Sequence, residues 1–351
     1  MLEISLVIVI VVLILPLSVH AIERNLEVFL FVMGALAATS SHLWGTTPIW
    51  TRQLIVHMVR APIPITAAVL ICGLLVARFR TALTDMLVKI QRKVGLKLFY
   101  GGVITALGIV SSIITAIVAA IVLVEVIGTL CRNKNTQLKL AVLGCFSIGL
   151  GAALTPIGEP LSTICIATLQ GEPYHAGFFF LLTHIGRYIL PGIIGIGIGT
   201  AIMVPAHEEV SGEHVYTENK PDTTPDIIVR AVKVFVFIMA LILLGAGFKP
   251  IIDRYIISLP SSALYWINTL SAVLDNAPLT AAEVSPQMSL IQIKCVLMGL
   301  LISGGMLIPG NIPNIICAGR LGIRSKEWAR YGVPIGLTLL AVYFIILGVI
   351  I

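Results

Sequence analysis

Charged residues are scarce in this chain of 351 residues. Asp, Glu, Lys and Arg together make up 11% of it, whereas hydrophobic residues make up 58%. A soluble domain carries about 25% charged residues. The shortage of charge therefore excludes an ordinary soluble protein and predicts an all-α polytopic membrane protein in a lipid bilayer. The net charge of +6 does not indicate nucleic-acid binding, because the basic residues cluster in short loops between apolar segments, where they orient a membrane protein.

Paired cysteines and catalytic motifs are also missing. The six cysteines are scattered singly, without a CxxC or a Cys/His cluster, which argues against a disulfide framework and against a cysteine-based metal site. HExxH and GxSxG motifs are absent, and an intramembrane enzyme would need paired catalytic groups. We therefore expect neither an enzyme nor a protein that carries an organic cofactor.

Long apolar segments make up most of the sequence. A transmembrane helix needs about 20 mostly apolar residues, with a range of about 17–25, and eight segments are good candidates. They are 2–19, 26–43, 61–77, 138–168, 176–204, 227–248, 290–319 and 331–351. The first of them lacks the basic region of a signal peptide and carries Glu3, so we expect it to be retained as a helix.

Two further apolar segments contain polar interruptions. Segment 98–130 is interrupted near Ser111–Thr115, and segment 261–285 is interrupted by Asp275, Asn276 and Pro278. Both are typical of re-entrant hairpins, which enter the membrane, turn at a polar tip and leave on the same side. Non-helical backbone at that depth is tolerated only where it is buried in protein or lines a cavity.

The same pattern occurs twice along the chain. Each copy has an interrupted apolar segment, then an apolar segment broken by Gly and Pro, then Arg-Tyr-x-x-Pro. The first copy reads SSIITAIVAAIVLV at 111–124, GLGAALTPIGEPLST at 149–163 and RYILP at 187–191; the second reads SAVLDNAPLTAAEV at 271–284, SGGMLIPGNIPN at 303–314 and RYGVP at 330–334. Such matched interruptions point to the binding site of a secondary transporter.

The repeat divides the chain into four parts, and charge indicates how they are oriented. Residues 1–60 are predicted scaffold helices, 61–204 the first repeat, 205–226 an acidic linker and 227–351 the second repeat. The arm 78–97 carries six basic residues, but its counterpart 249–260 carries two. By the positive-inside rule, the first arm lies inside and the second outside, so the repeats are inverted and both termini lie outside a plasma membrane.

Acidic residues inside a membrane are costly and are functional candidates by default. Asp275 and Asn276 stand at the predicted tip of the second hairpin, where Pro278 breaks the helix and Thr280 follows. Glu159 stands between two prolines in the first broken helix. Oxygen groups of this kind suit a small hard cation, so we hypothesise a Na⁺ site at Asp275, Asn276 and Glu159.

Aligning the two copies extends this candidate site. Gly158 aligns with Gly310, which pairs Glu159 with Asn311 and Ser162 with Asn314. At the tips, Ser111 pairs with Ser271 and Thr115 with Asp275. The remaining candidates in the first copy are Ser112 and Thr155. Glu125 and Glu283 lie on the outgoing arms of the hairpins, where a solvated role and a functional role are both open.

These motifs resemble those of the ion transporter superfamily, which includes NhaD-type sodium/proton antiporters, arsenite permeases and dicarboxylate/citrate carriers. LSAVLDNAPLT resembles its hairpin motif, and GLGAALTPIGEPLST its broken-helix motif. The resemblance covers residues 60–351. It implies a homodimer with an elevator-like transport movement. The first tip lacks the Asn of the family's Ser-Asn-Thr motif, and the second reads Asp-Asn-Ala.

Two transport functions follow from these residues. The first is a Na⁺ or Li⁺/H⁺ antiporter, in which one carboxylate cannot hold a cation and a proton together. The alternative is a Na⁺-coupled carboxylate carrier, in which the positive ends of the broken helices hold the anion with help from Arg187. A carboxylate at the second tip attracts cations and repels anions, which favours the antiporter.

Overall fold

The computed structural model describes residues 25–44, 48–63, 93–131, 133–204, 224–251, 258–272 and 276–350, with isolated residues between 7 and 89. Every regular element in this part is a helix, which confirms the all-α prediction. The α-helices are α1 Leu26–Trp44, α2 Arg52–Arg60, α3 Leu96–Ile114, α4 Ala116–Leu130, α5 Lys134–Ala152, α6 Pro160–Thr168, α7 Phe180–Met203, α8 Thr224–Ile251, α9 Ser261–Ile267, α10 Asn276–Glu283, α11 Leu290–Gly304, α12 Ile312–Leu321 and α13 Ser325–Ile350. Short 3₁₀ helices occupy Asn268–Ala272 and Ile308–Gly310.

Four of the described helices are long and apolar enough to cross a membrane, namely α3, α7, α8 and α13. Shorter apolar helices accompany them within α1, α4 and α11. The protein therefore has the helical make-up of a membrane-embedded protein. The predicted total of about eight spans stays a prediction, because most of segments 2–19 and 61–77 lies outside the described residues.

The helices break where glycine, proline and polar residues interrupt the apolar segments. Only Thr115 separates α3 from α4, so the interruption predicted near Ser111–Thr115 is present. Thr115 has φ +76° and ψ 149°, a backbone region that residues other than glycine adopt only at a cost of about 1–3 kcal/mol. In the second interrupted segment, residues 273–275, including Asp275, lie outside the described residues.

Packing links the two copies crosswise. Helix α6, which follows the break in the first copy, packs against α10 of the second hairpin. Helix α12, which follows the break in the second copy, packs against α4 of the first hairpin. Helices α5 and α11, which precede the breaks, also touch each other. The largest buried apolar cluster extends through both copies, and it surrounds the two breaks.

Candidate functional site

The two helix breaks have the same construction. At each break the chain turns back over the end of the preceding helix, and a glycine makes this possible. A methyl group added to Gly158 would lie 2.6 Å from the carbonyl carbon of Ala152, and one added to Gly310 would lie 2.6 Å from the carbonyl oxygen of Gly304. Since real Cβ atoms essentially never approach so closely, each turn requires glycine at this position.

Equivalent polar residues follow the two glycines. Glu159 and Asn311 are the residues before α6 and α12, with extended backbones at φ −154° and −156°. Their side chains do not cap their own helices. They are buried to the same degree, with exposures of 4% and 5%. The sequence alignment of Glu159 with Asn311 therefore corresponds to two positions of matching geometry.

Ser162 and Asn314 connect the helix after each break to the helix before it by hydrogen bonds. The Ser162 hydroxyl donates to Ala152 O at 3.5 Å, and the Asn314 amide donates to Gly304 O at 2.7 Å. Asn314 Nδ2 also donates to Leu307 O at 2.8 Å. Both hydrogens of this amide are therefore used, and one of them satisfies the Gly304 carbonyl at the end of the helix before the break.

A serine in each interrupted segment donates a hydrogen bond to the helix before the break. Ser111 Oγ donates to Ile148 O at 3.1 Å, and Ser271 Oγ donates to Leu300 O at 3.2 Å. These serines and their acceptors are aligned positions in the two copies. The Ser111 hydroxyl also lies 2.7 Å from Gly108 O of its own helix, so its single hydrogen is shared between the two carbonyls.

The other candidates in the first copy bond mainly to backbone. Ser112 Oγ donates to Ile109 O at 2.8 Å, and the Thr155 hydroxyl donates to Ser112 O. Thr115 Oγ1 accepts from Val118 N–H at 3.3 Å. The tip is also joined to the break, since Ala116 N–H donates to the Gly158 carbonyl at 2.7 Å. These contacts hold the first tip against the first break.

The second tip carries polar atoms that the backbone does not satisfy. Asn276, the first residue of α10, is 2% exposed, and its Nδ2 is 3.7 Å from the position that a methyl group on Gly304 would take. This Nδ2 has no hydrogen-bond partner among the described residues. The Thr280 hydroxyl donates to Asn276 O at 2.8 Å, so it lies one turn further along the same helix.

Asn311 brings the second break to the first copy. Its Nδ2 is 3.0 Å from the position that a methyl group on Gly149 would take, and Gly149 belongs to α5. The side chain after the second break therefore lies on the helix that leads into the first break. This contact, together with the crosswise packing of α6 and α12, places both breaks in one buried region.

Cation-ligand chemistry is available in this region. Asn314 Oδ1 and Ser303 Oγ are buried, and neither has a hydrogen-bond partner among the described residues. An oxygen atom that receives no hydrogen is a suitable ligand for a small hard cation. The described residues contain no cluster of three or more His, Cys, Asp or Glu that suits a transition metal.

Sequence reasoning left three residues of this region out of the candidate site: Asn268, Glu283 and Ser303. Glu283 is 6% exposed, and its Oε2 accepts from Asn268 Nδ2 at 2.8 Å. Asn268 lies about two helical turns before the second tip and Glu283 about two turns after it. This placement could have identified the two residues in the sequence. Burial by three other helices was not visible in the sequence, so a solvated role for Glu283 stayed open there.

The arginines of the two Arg-Tyr-x-x-Pro motifs make their contacts with neighbouring tyrosines. Arg187 is exposed, donates to the Tyr188 hydroxyl at 2.5 Å and stacks over the Tyr188 ring at 4.7 Å. Arg330 is placed similarly over the ring of Tyr331 at 6.0 Å. The repeated Arg-Tyr pair is therefore a stacking unit, and the contacts of Arg187 provide no anion-binding position at the breaks.

A protein family matches nearly the whole chain. The family described as "Protein of unknown function (DUF1646)" matches residues 2–350. The chain belongs to this family. No curated protein matches it. The description of DUF1646 assigns no activity to its members.

Proposed function

We propose that this protein is a secondary active transporter that exchanges Na⁺ or Li⁺ for protons. The observation that supports this most strongly is the pair of helix breaks of matching construction, joined in one buried region. Asn314 Oδ1 and Ser303 Oγ lie there without a hydrogen donor among the described residues. Glu159 contributes a buried carboxyl group at the aligned break.

The cation site is proposed to combine Asp275, Asn276, Thr280, Asn311 and Asn314. Asp275 directly precedes Asn276 in the sequence and supplies the negative charge that a monovalent cation needs. Exchange follows from competition, because a carboxylate that has taken up a proton no longer balances the charge of a cation. Glu159 supplies a second carboxyl group at the other break.

The proposed movement relies on the inverted repeats. The two hairpins and the two broken helices form the mobile part, and it moves in an elevator-like manner against scaffold helices of a homodimer. Helix α1 packs along α8, which makes this pair a candidate for the scaffold. Both termini are proposed to lie outside the plasma membrane, in line with the basic arm 78–97 on the inside.

Exchange is testable in proteoliposomes with an imposed pH gradient and a pH-sensitive dye inside. NaCl or LiCl, but not choline chloride, should dissipate the gradient. Asp275→Asn should abolish the response, and Glu159→Gln should reduce it. Glu172→Gln, on an exposed residue before Pro173, is the matched control and should respond like the natural protein. Full Na⁺-dependent dissipation by Asp275→Asn would contradict the proposal.

The same vesicles distinguish the alternative function, a Na⁺-coupled carboxylate carrier. One observation favours it: α6 and α12 both begin at the breaks, and helix N-termini carry partial positive charge. Uptake of a labelled dicarboxylate that requires Na⁺, together with no Na⁺-dependent dissipation of the pH gradient, would replace the antiporter by this carrier.

A further inference from the structure

Glu283 and Asn268 form a buried carboxyl-amide pair in the second hairpin. Glu283 is the last residue of α10, and Asn268 begins the 3₁₀ helix after α9. Their exposures are 6% and 0%. Asn268 Nδ2 donates to Glu283 Oε2 at 2.8 Å and to Leu264 O at 2.8 Å. The pair thus joins the two arms of the hairpin.

The second of these bonds fixes the orientation of the amide. A backbone carbonyl can only accept, so the atom of Asn268 that faces Leu264 O must be the nitrogen. Asn268 Oδ1 therefore points elsewhere, and it has no hydrogen-bond partner among the described residues. A neutral amide is consequently the described donor to Glu283, and an acceptor oxygen is held on the same side chain.

No positive charge balances Glu283 within the described part of the chain, since no ion pair to it is formed there. Lys233 on α8 is paired with Glu27 at 2.9 Å. The side chains of Arg230 and Lys249, like Asp275, are outside the described residues. The helices packed against α10 carry these described titratable groups: Asp226 and Lys233 on α8, Glu159 and Cys165 at α6, and Lys294 and Cys295 on α11. Tyr265 lies on the neighbouring helix α9.

The position of Glu283 at the end of its helix also disfavours the ionised carboxylate. It ends α10, and the C-terminal end of a helix carries partial negative charge, which disfavours an anion. A buried carboxyl group without a compensating charge takes up a proton instead of staying ionised. We infer that Glu283 is a proton-binding site of the transport cycle, neutral in the conformation described here.

This inference rests on the proposed exchange and gives it a separate proton site. Seven residues of helix separate Asn276 from Glu283, which corresponds to roughly 10 Å along the axis. When Glu283 releases its proton to water, a negative charge remains at that distance from the cation. At an effective dielectric constant of about 20, this attraction changes the cation affinity on the order of tenfold. Proton release and cation binding are thereby coupled.

The first copy lacks an equivalent pair. Gly108 is aligned with Asn268, and a methyl group on it would approach Ile193 Cγ2 at 2.8 Å. In the second copy, Gly299 on α11 leaves room for the Asn268 side chain, because a methyl group on Gly299 would lie 2.9 Å from Asn268 Cβ. Glu125 on α4 is half-buried and lies on the outgoing arm of the first hairpin, so it is the matched control for Glu283.

The experiment compares two activities of the full protein in proteoliposomes: ²²Na⁺/Na⁺ counterflow, which needs only the cation site, and ²²Na⁺ uptake driven by a pH gradient. Glu283→Gln should retain counterflow and lower gradient-driven uptake by up to about tenfold, with the competition at Asp275 left intact. Its KM for Na⁺ should change less steeply with pH than that of the natural protein. Glu125→Gln should keep both activities. Gradient-driven uptake with the natural pH profile, or equal loss of counterflow and uptake, would overturn the inference.

Asn268→Ala provides a second test, which is decisive if Glu283→Gln does not fold. Removing the amide donor disfavours the ionised carboxyl group, so the pH optimum of gradient-driven uptake should move upward while counterflow persists. An unchanged optimum would overturn the proton site. Failure of the natural protein to catalyse either activity with Na⁺ or Li⁺ would instead reject the proposed function itself.

Discussion

The crossing of α3 and α5 gives the sharpest structural prediction. Gly108 and Gly151 let the two helices approach until a methyl group on Gly151 would lie 2.6 Å from the carbonyl carbon of Gly108. Optimal contacts between carbon atoms are about 3.5–4.0 Å. Gly151→Ala must therefore push the helices apart by about 1 Å or more at this point, because the Gly108 carbonyl oxygen lies closer still.

The separation has a calculable cost. Two hydrogen bonds cross this interface, from Ser111 Oγ to Ile148 O at 3.1 Å and from Ser147 Oγ to Ile104 O at 2.9 Å. A shift of about 1 Å takes both beyond hydrogen-bonding distance. Each is worth about 0.5–1.5 kcal/mol, and overpacking adds about 1–3 kcal/mol. We expect Gly151→Ala to lower stability by about 2–6 kcal/mol.

Thermal denaturation in detergent, followed by size-exclusion chromatography, measures this effect. The Gly151→Ala midpoint should fall by about 3–8 °C. Gly102→Ala is the matched control, because it lies on α3 with no atom within 4 Å of the added methyl group. It should keep or raise the midpoint, since alanine favours a helix by up to about 1 kcal/mol. A Gly151→Ala midpoint equal to that of the natural protein would refute the close crossing.

Three further predictions use the same denaturation assay. Thr115→Gly should raise the midpoint, because relief of about 1–3 kcal/mol of backbone strain exceeds the few tenths lost when glycine replaces a capping threonine; a lower midpoint would contradict the positive φ. Asn314→Leu should cost about 1–3 kcal/mol, because it leaves Gly304 O without its donor, whereas Leu307 O keeps the Gly310 N–H; a midpoint equal to the natural one would count against the bond to Gly304 O. Gly158→Ala should destabilise the first break, whereas Gly171→Ala, in open space, should not; equal midpoints would show that the break tolerates a side chain.

The sequence was informative about where helices stop. Gly158 and Pro160, like Gly310 and Pro313, stand within three positions of each other in long apolar segments, and such a combination of glycine and proline favours a helix break. The structure has its breaks at these positions, and it turns at Thr115 as the polar residues there indicated. Local chemistry decides such features, so a local pattern predicts them.

The burial of a side chain by other helices cannot be predicted from a local pattern in this way. Glu283 and Glu125 look alike in the sequence, since each follows an interrupted apolar segment. The structure leaves Glu125 half-buried and buries Glu283, because α6, α8 and α11 cover α10. These contacts join residues more than a hundred positions apart as well as near neighbours, and no periodicity within one segment reveals them.

The crosswise packing of α6 on α10 and of α12 on α4 has a consequence for biogenesis. The chain enters the membrane from its N-terminus, so α4 and α6 are synthesised well before their partners. Until α12 has been made, the first half presents two unfinished surfaces to lipid or to the insertion machinery. We therefore expect that neither half, produced alone, can complete the packing of its own helices.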